Sequence, residues 1–130
     1  MIVVWFGLAK MITVLVIGFS ASVLLGAFLI FDRLVRLEYE SYRRHWLADG
    51  QPHGFFWVPP VVKRLGGWTV SLRSDFASKR CSYVWLFSTP DWVRKDEKAK
   101  RLLKWLRILV VLWNTSILLS ALWAFSYLLK

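Results

Sequence analysis

The stretch PDWVRKDEKAKRLLKWLRILVVLWNTSILLSALWAFSYLLK (Pro90–Lys130) decides the fold of this chain. The run Thr89-Pro90-Asp91 is a helix start signal, because Thr suits the N-cap, Pro the first helical position and Asp the positive end of the helix dipole. The residues that follow are basic and amphipathic, and residues 108–129 then form a run of 22 without a charged side chain. About 20 apolar residues cross a bilayer. The stretch therefore predicts one continuous helix whose second half spans a membrane.

A second uncharged run lies near the N-terminus. Residues 11–31 are 21 residues without a charge, and basic residues follow them instead of a cleavage pattern. A signal peptide has a shorter apolar region of about 7–15 residues. The run is therefore predicted to be a retained transmembrane helix.

The charge of the chain is concentrated between these two runs. The net charge is +10, and residues 32–107 contain all eight acidic residues and all of the 18 basic residues except Lys10 and Lys130. Lys and Arg near membrane ends favour the cytoplasmic side. We therefore expect an integral membrane protein, of the bacterial inner membrane, with both termini outside and the loop 32–107 in the cytoplasm. A basic but apolar and tethered loop does not fit a nucleic-acid-binding module, and no nucleic-acid partner is expected.

The predicted fold class is an all-α membrane protein, an antiparallel hairpin of two transmembrane helices with long cytoplasmic extensions. Residues 1–50 form the first helix and its extension, 51–89 an irregular connecting cap, and 90–130 the second helix. Prolines and glycines break the cap. Trp68, Val70 and Leu72 alternate with polar residues there, which is typical of a strand. A short interfacial helix is the alternative that the sequence leaves open.

Two sets of residues are predicted to hold the helices together. Small residues let helix backbones approach each other in lipid, and both spans have them at intervals of four: Gly18, Ser22 and Gly26 in the first, Ser116, Ser120 and Ala124 in the second. At the inner boundary of the membrane, Asp32 and Arg107 are predicted to form an ion pair.

Aromatic residues mark candidate docking surfaces. The chain has nine tryptophans, which anchoring at the membrane interface and packing explain better than a pigment or quinone pocket. The candidates for docking a partner are Trp5 and Phe6 in the apolar N-terminal segment and Phe55, Phe56 and Trp57 in the cap.

The sequence has no recognisable catalytic constellation. The phosphate-loop, zinc-protease, nucleophile-elbow and paired-cysteine motifs are absent. His45 and His53 are too far apart for a helical metal pair, and the single Cys81 is predicted to be unreactive rather than acylated. Asn114 is expected to form a hydrogen bond to a helix neighbour rather than to serve as a substrate or ion site. No catalytic residue, metal or cofactor is predicted.

Three pieces of the sequence can be compared with known layouts: Gly50-Gln51-Pro52, Tyr83-Val84-Trp85 and the charged segment Asp91–Arg107, which runs directly into the second span. In these pieces the layout resembles that of the universal stress protein B family, small two-pass bacterial membrane proteins. The similarity covers about half of the chain, chiefly as architecture. The resemblance implies a two-pass topology and transfers no site and no activity.

Three functional hypotheses follow. The first is a non-enzymatic accessory, structural or assembly subunit that contacts other membrane protein subunits. The second is a membrane-surface module whose basic loop binds anionic headgroups, because each Lys or Arg near an anionic surface adds attraction. The third, and least favoured, is a small enzyme or transporter component that uses Asn114 or the histidines.

Overall fold

The computed structural model describes the backbone of residues 2–65 and 68–128, and the side chains of residues 7–64 and 71–126. Its contacts divide the chain into two compact units. We call residues 1–26 with 108–130 the apolar unit, and residues 27–107 the charged unit. Each is described by itself.

The described part of the chain is all-helical and contains no strand, which confirms the predicted α class. The prediction of strand character in the cap is wrong, because residues 68–87 form a helix. The helices are α1 (Ile2–Ser41), α2 (Arg43–Ala48), α3 (Pro60–Leu65), α4 (Trp68–Phe87), α5 (Asp91–Arg94) and α6 (Glu97–Leu128).

Two of these helices are long and apolar enough to cross a membrane. They comprise residues Gly7–Ser41 of α1 and Glu97–Ser126 of α6. Most large apolar side chains in their uncharged parts are exposed, as for Val14 at 68% and Val111 at 64%. Exposed apolar surface on this scale is expected of helices that face lipid and unusual for helices that face water.

The second long helix is interrupted where the sequence predicts it to be continuous. α5 ends at Arg94, and α6 begins at Glu97. Between them, Oδ1 of Asp96 accepts the backbone N–H groups of Lys98 and Ala99 at 2.8 and 3.2 Å. Asp96 is therefore the N-cap of a new helix. The predicted cap residue Thr89 instead accepts a hydrogen bond from Arg107.

The first helix is also broken, at Tyr42. Its backbone leaves the helical region, with φ −127° and ψ 46°. The Tyr42 ring lies 5.1 Å from that of Trp92, and its hydroxyl donates to Asp96 at 3.1 Å. Tertiary contacts thus accompany the break and connect α1 to the segment that starts α6.

A glycine turn ends α2. Gly50 has φ +90°, and the N–H groups of Gly50 and Gln51 donate to the carbonyls of Leu47 and Trp46. This is a Schellman ending, in which a left-handed glycine terminates the helix. A Cβ on Gly50 would lie 3.2 Å from that of Ala77, so the turn also sits closely against α4.

α4 packs one face into the charged unit. Its buried residues recur at spacings of three and four, which is the helical period, and they are Ser74, Ala77, Cys81 and Trp85. Trp46, Trp85 and Trp92 are all less than 3% exposed. Trp46 also donates its indole N–H to the carbonyl of Pro52 at 2.9 Å. The charged unit therefore has a tryptophan-rich core of its own.

Candidate functional site

The carboxylate of Asp32 lies inside a turn of the connecting cap. The backbone N–H of Phe55 donates to Oδ1 at 2.6 Å, and those of Phe56 and Trp57 donate to Oδ2 at 2.9 and 3.0 Å. Asp32 is only 8% exposed. Three converging N–H groups replace the water that a buried carboxylate loses. Asp32 thereby fixes the cap to α1.

Gly54 makes this arrangement possible. A Cβ at position 54 would collide with the Asp32 carboxylate, so only glycine lets the backbone approach it this closely. In the sequence, Gly54 is recognisable only as a helix breaker. Its dependence on Asp32 is a contact between distant residues and has no local signal.

The held turn presents two phenylalanines. Phe55 and Phe56 are 55% and 63% exposed. The Phe55 ring stacks on Phe28 with centroids 4.0 Å apart and meets Phe31 edge-on at 5.5 Å. Trp57 instead turns inward and packs against Tyr39 at 5.5 Å. Among the predicted docking residues, Phe55 and Phe56 are thus available at the surface, while the side chains of Trp5 and Phe6 lie outside the described residues.

Arg107 caps a helix and does not pair with Asp32. Its Nη2 donates to the carbonyls of Trp85 and Ser88, each at 2.9 Å, and to the Thr89 hydroxyl at 3.1 Å. These groups lie at the C-terminus of α4, where a cation is favoured by the helix dipole. No ion pair joins Asp32 to Arg107 in the part of the chain that the structure describes. The predicted ion pair is not formed, because each partner is satisfied by backbone groups of the cap.

A small pocket lies between the end of the uncharged run of α1, the cap and α4. Its volume is about 220 Å³. His53 is held in its wall, since Nε2 lies 2.6 Å from Oδ1 of Asp75 and Nδ1 lies 2.6 Å from the Gly54 carbonyl oxygen. The residues that line the pocket are Phe31, His53, Gly54, Phe55, Asp75, Ser78, Lys79 and Ser82.

The outer face of α4 carries an aromatic stripe. At about 100° per residue, four residues that are each at least 45% exposed fall within an arc of about 60°: Leu72, Phe76, Tyr83 and Phe87. Arg73, Lys79 and Arg80 flank them and are exposed. We call this surface the α4 stripe. The stripe was not predicted, because the alternation of Trp68, Val70 and Leu72 is typical of a strand. The spacings of 4, 7 and 4 between the stripe residues are the signal in the sequence that would indicate it.

Glu38 is a buried acid in the core of the charged unit. It is fully buried, and both of its carboxyl oxygens lack a hydrogen-bond partner among the described residues, as does the indole N–H of Trp92. Glu38 follows the uncharged run of α1. Burial, and then the negative charge of Asp49, raise the pKa of Glu38 to about 9. The side chain is therefore neutral at physiological pH.

Cys81 lies in the same interior. It is 4% exposed, and burial, followed by the charges of Asp49 and Glu38, raises the pKa of its thiol to about 12. Because the thiolate is the reactive form, Cys81 is inert and inaccessible to acylation.

The small residues of the apolar unit contact each other only in part. Gly26 lies against Leu109, whose Cδ1 would be 3.3 Å from an added Cβ, whereas nothing lies within 4 Å of Gly18. The Ser22 hydroxyl bonds its own helix. The side-chain hydrogen bond between the helices joins Ser116 to Ser20, at 2.8 Å, and Ser20 was not in the predicted set.

Ser120 and Ala124 line a groove of about 780 Å³ within the apolar unit. The Ser120 hydroxyl is satisfied by the carbonyl of Ser116 on its own helix, at 2.7 Å. We call this the apolar groove; its lining is Ile12, Thr13, Leu15, Val16, Ile17, Phe19, Ser116, Leu119, Ser120, Trp123 and Ala124.

The remaining polar candidates have local roles. Asn114 donates to the Val110 carbonyl of its own helix at 2.7 Å. His45 is exposed, and its carbonyl accepts the N–H of Asp49 at the end of α2. Within residues 7–64 and 71–126, no three His, Cys, Asp or Glu side chains are placed to hold a metal ion.

Comparison with models of protein families, with curated proteins and with solved structures finds no match to this chain.

Proposed function

We propose that this chain is a two-pass integral membrane protein whose α1 and α6 form an antiparallel hairpin. Two contacts support the direction: Ser20 meets Ser116 and Gly26 meets Leu109, so residue numbers rise along one helix and fall along the other. The basic residues of 32–107 favour the cytoplasm for this segment, which leaves Lys10 and Lys130 on the opposite side. The resemblance to the universal stress protein B family supports this two-pass layout and is not used for any site or activity.

Its function, we propose, is that of a non-enzymatic accessory or assembly subunit of a larger membrane complex. The observation that carries the proposal is the apolar groove. Small residues on α6 line one side of it, Ser116, Ser120 and Ala124, and small residues allow a further helix to approach closely in lipid. The groove is thus shaped for a transmembrane helix of a partner subunit.

Native mass spectrometry after gentle solubilisation of the source membranes tests this function. The chain should be recovered with a stoichiometric partner. Ser120→Trp, which fills the groove, should abolish the association. Ser126→Trp is the matched control, because Ser126 is an exposed serine of α6 outside the groove, and it should retain the partner. Recovery of the wild-type chain only as a monomer or homo-oligomer would contradict the proposal.

The second candidate function is a module on the membrane surface, and the α4 stripe favours it. A helix with an aromatic face and flanking cations suits the interface plane of a bilayer that contains anionic lipid. Phe76 and Phe87 are 73% and 77% exposed, which is costly in water and favourable among headgroups. In this arrangement α4 lies on the cytoplasmic leaflet.

Spin labelling tests the placement of α4. A nitroxide on Phe76→Cys should be more accessible to oxygen than to a water-soluble nickel relaxant in proteoliposomes. Lys98→Cys, exposed on α6, is the control and should show the reverse. The buried thiol of Cys81, with its pKa raised to about 12, adds little background labelling. Equal accessibility at both positions would argue against a membrane-facing α4.

A further inference from the structure

We propose that the pocket beside His53 binds the phosphate of an anionic phospholipid, through the ammonium of Lys79 and the hydroxyl of Ser82. We call it the headgroup pocket. The inference rests on the proposed membrane placement and goes beyond it, by assigning a site and a ligand class to named side chains of the charged unit.

Lys79 brings a positive charge to the lining of the pocket. Lys79 lies four residues after Asp75 on α4, a spacing at which ion pairs form. Within the described residues, however, its ammonium has no ion pair. Asp75 is instead bonded to His53. The ammonium of Lys79 is therefore available to bind an anion in the pocket that it lines.

His53 engages the carboxylate that lines the pocket. Nδ1 of His53 faces the Gly54 carbonyl oxygen and Nε2 faces Oδ1 of Asp75, each at 2.6 Å. Asp75 is thus bonded to His53, and the cation left to meet an anion in the pocket is Lys79.

The hydroxyl of Ser82 can supply a donor to the pocket. In the part of the chain that the structure describes, it bonds the carbonyl of Lys79, one turn back on α4, at 2.8 Å. A hydroxyl in this position can rotate toward a phosphate oxygen at little cost. Ser78, by contrast, accepts the His53 N–H at 2.8 Å and donates to Ser74, so it positions the wall.

The size of the pocket selects a small group. Its volume of about 220 Å³ lies below the range of about 300–1,000 Å³ that is typical of sites for whole drug-sized ligands. A phosphate with its first ester carbons suits such a volume, and the remainder of the ligand would extend outside.

The apolar wall identifies a lipid rather than a soluble phosphate. Phe31, the last residue of the uncharged run, lines the pocket beside Phe55. Phe55 is 55% exposed and stacks on Phe28, which lies within that run. An acyl chain from a bound phosphate would therefore follow phenyl rings to the depth at which α1 enters the membrane. A soluble phosphate ester would leave the exposed ring of Phe55 in water.

The test counts lipids on the purified full chain. The protein in detergent is titrated with phosphatidylglycerol or phosphatidylcholine, and bound lipids are counted by native mass spectrometry. We expect one phosphatidylglycerol to bind more tightly than phosphatidylcholine, and Lys79→Gln to weaken it about fivefold, the effect of one cation near a lipid phosphate. Lys63→Gln removes the same charge from an exposed lysine of α3, outside both the pocket and the α4 stripe, and should leave binding unchanged. Ser82→Leu, which fills the pocket, should abolish the tight site.

Three results would overturn the inference. Equal losses in Lys79→Gln and Lys63→Gln would indicate general surface charge, equal binding of the two lipids would remove the anion preference, and competition by glycerol 3-phosphate at the same concentration as the lipid would indicate a soluble ligand. Failure here is distinguishable from failure of the proposed function, because the titration needs no partner subunit and Ser120→Trp leaves the headgroup pocket intact.

Discussion

The apolar unit and the charged unit treat their large apolar residues in opposite ways. In the apolar unit, side chains such as Val14 and Leu118 are at least 60% exposed, and the helices touch through small residues. In the charged unit, Trp46, Trp85 and Trp92 are almost completely buried. Burial in water is driven by the hydrophobic effect, which is absent between helices in lipid. This difference is the one expected from the proposed membrane placement, in which the apolar unit faces lipid and the charged unit has a core formed in water.

The strongest test of this comparison removes a buried tryptophan. Trp46→Ala should lower the free energy of unfolding by about 3–5 kcal/mol, as is usual for large-to-small changes in a water-driven core. The control is Trp105→Ala, because Trp105 is 57% exposed, and a surface change of this kind is worth about 0.5 kcal/mol. Denaturation in detergent, followed by near-ultraviolet circular dichroism, measures both. Similar values for the two variants would mean that the charged unit has no core of this type.

Removal of the Asp32 carboxylate, which accepts three backbone N–H groups of the cap, should lower the free energy of unfolding nearly as much. Asp32→Ala leaves three N–H groups without their acceptor, and hydrogen bonds to a charged group contribute about 1.5–3 kcal/mol each without full additivity. We expect a loss of about 3 kcal/mol and faster hydrogen exchange of the amides of Phe55 and Trp57. Asp91→Ala is the matched control, since its side chain is 81% exposed and pairs only weakly with Arg94. Unchanged exchange in Asp32→Ala would contradict the proposed anchoring of the cap.

The buried acid predicts a pH dependence for the charged unit. The pKa of Glu38 is 4.5 in the unfolded chain and about 9 in the folded chain. Between these values the folded chain holds a proton that the unfolded chain has released, so the free energy of unfolding falls as the pH rises through this window. Glu38→Gln should flatten this slope in a series of thermal melts. Glu40→Gln, an exposed neighbour paired with Arg36, should retain it, and a wild-type slope in Glu38→Gln would refute the assignment.

The apolar unit should show the smallest effects. Ser116→Ala removes the bond to Ser20 and is expected to cost about 0.6 kcal/mol, the average for such bonds between helices in membranes. Gly18→Ala, with nothing within 4 Å, should be neutral or slightly stabilising, whereas Gly26→Ala must displace Leu109. Steric trapping in bicelles can rank the three variants. A loss for Gly18→Ala as large as that for Gly26→Ala would show that the helices pack through a different face.

Local patterns in the sequence were sufficient for the helical class and for both candidate spans. Uncharged length is a local property, and both uncharged runs lie in helices that are long and apolar enough to cross a membrane. The break at Asp96 also has a local signal, because Asp is a preferred N-cap residue. The run Thr89-Pro90-Asp91 is a stronger helix start signal in the same segment, and the prediction followed it. By contrast, the partners of Asp32 and Arg107 depend on backbone groups more than 15 residues away. Charge complementarity suggested that they pair with each other, whereas the demand of buried backbone groups for partners decided the outcome.

The placement of the small residues shows the same limit. Gly18, Ser22 and Gly26 satisfy the spacing rule equally. Among the three, Gly26 lies against Leu109 of α6, whereas nothing lies within 4 Å of Gly18 and Ser22 bonds its own helix. Inside an apolar run, the period does not indicate which face meets a neighbour, because every position is apolar. The interhelical hydrogen bond instead uses Ser20, which is two residues from both Gly18 and Ser22 and therefore about 160° from each around the helix. The spacing rule alone does not select between these two faces.

Photo-crosslinking from the apolar groove tests the central claim most directly. Leu118 and Leu119 are adjacent residues of α6 and both are 60% exposed, but only Leu119 lines the groove. With a photoreactive amino acid at each position in the native membrane, we expect one discrete protein adduct from position 119, lost in Ser120→Trp, and only lipid adducts from position 118. Lipid adducts alone from both positions, or the same protein adduct from both, would contradict a groove that holds a partner helix.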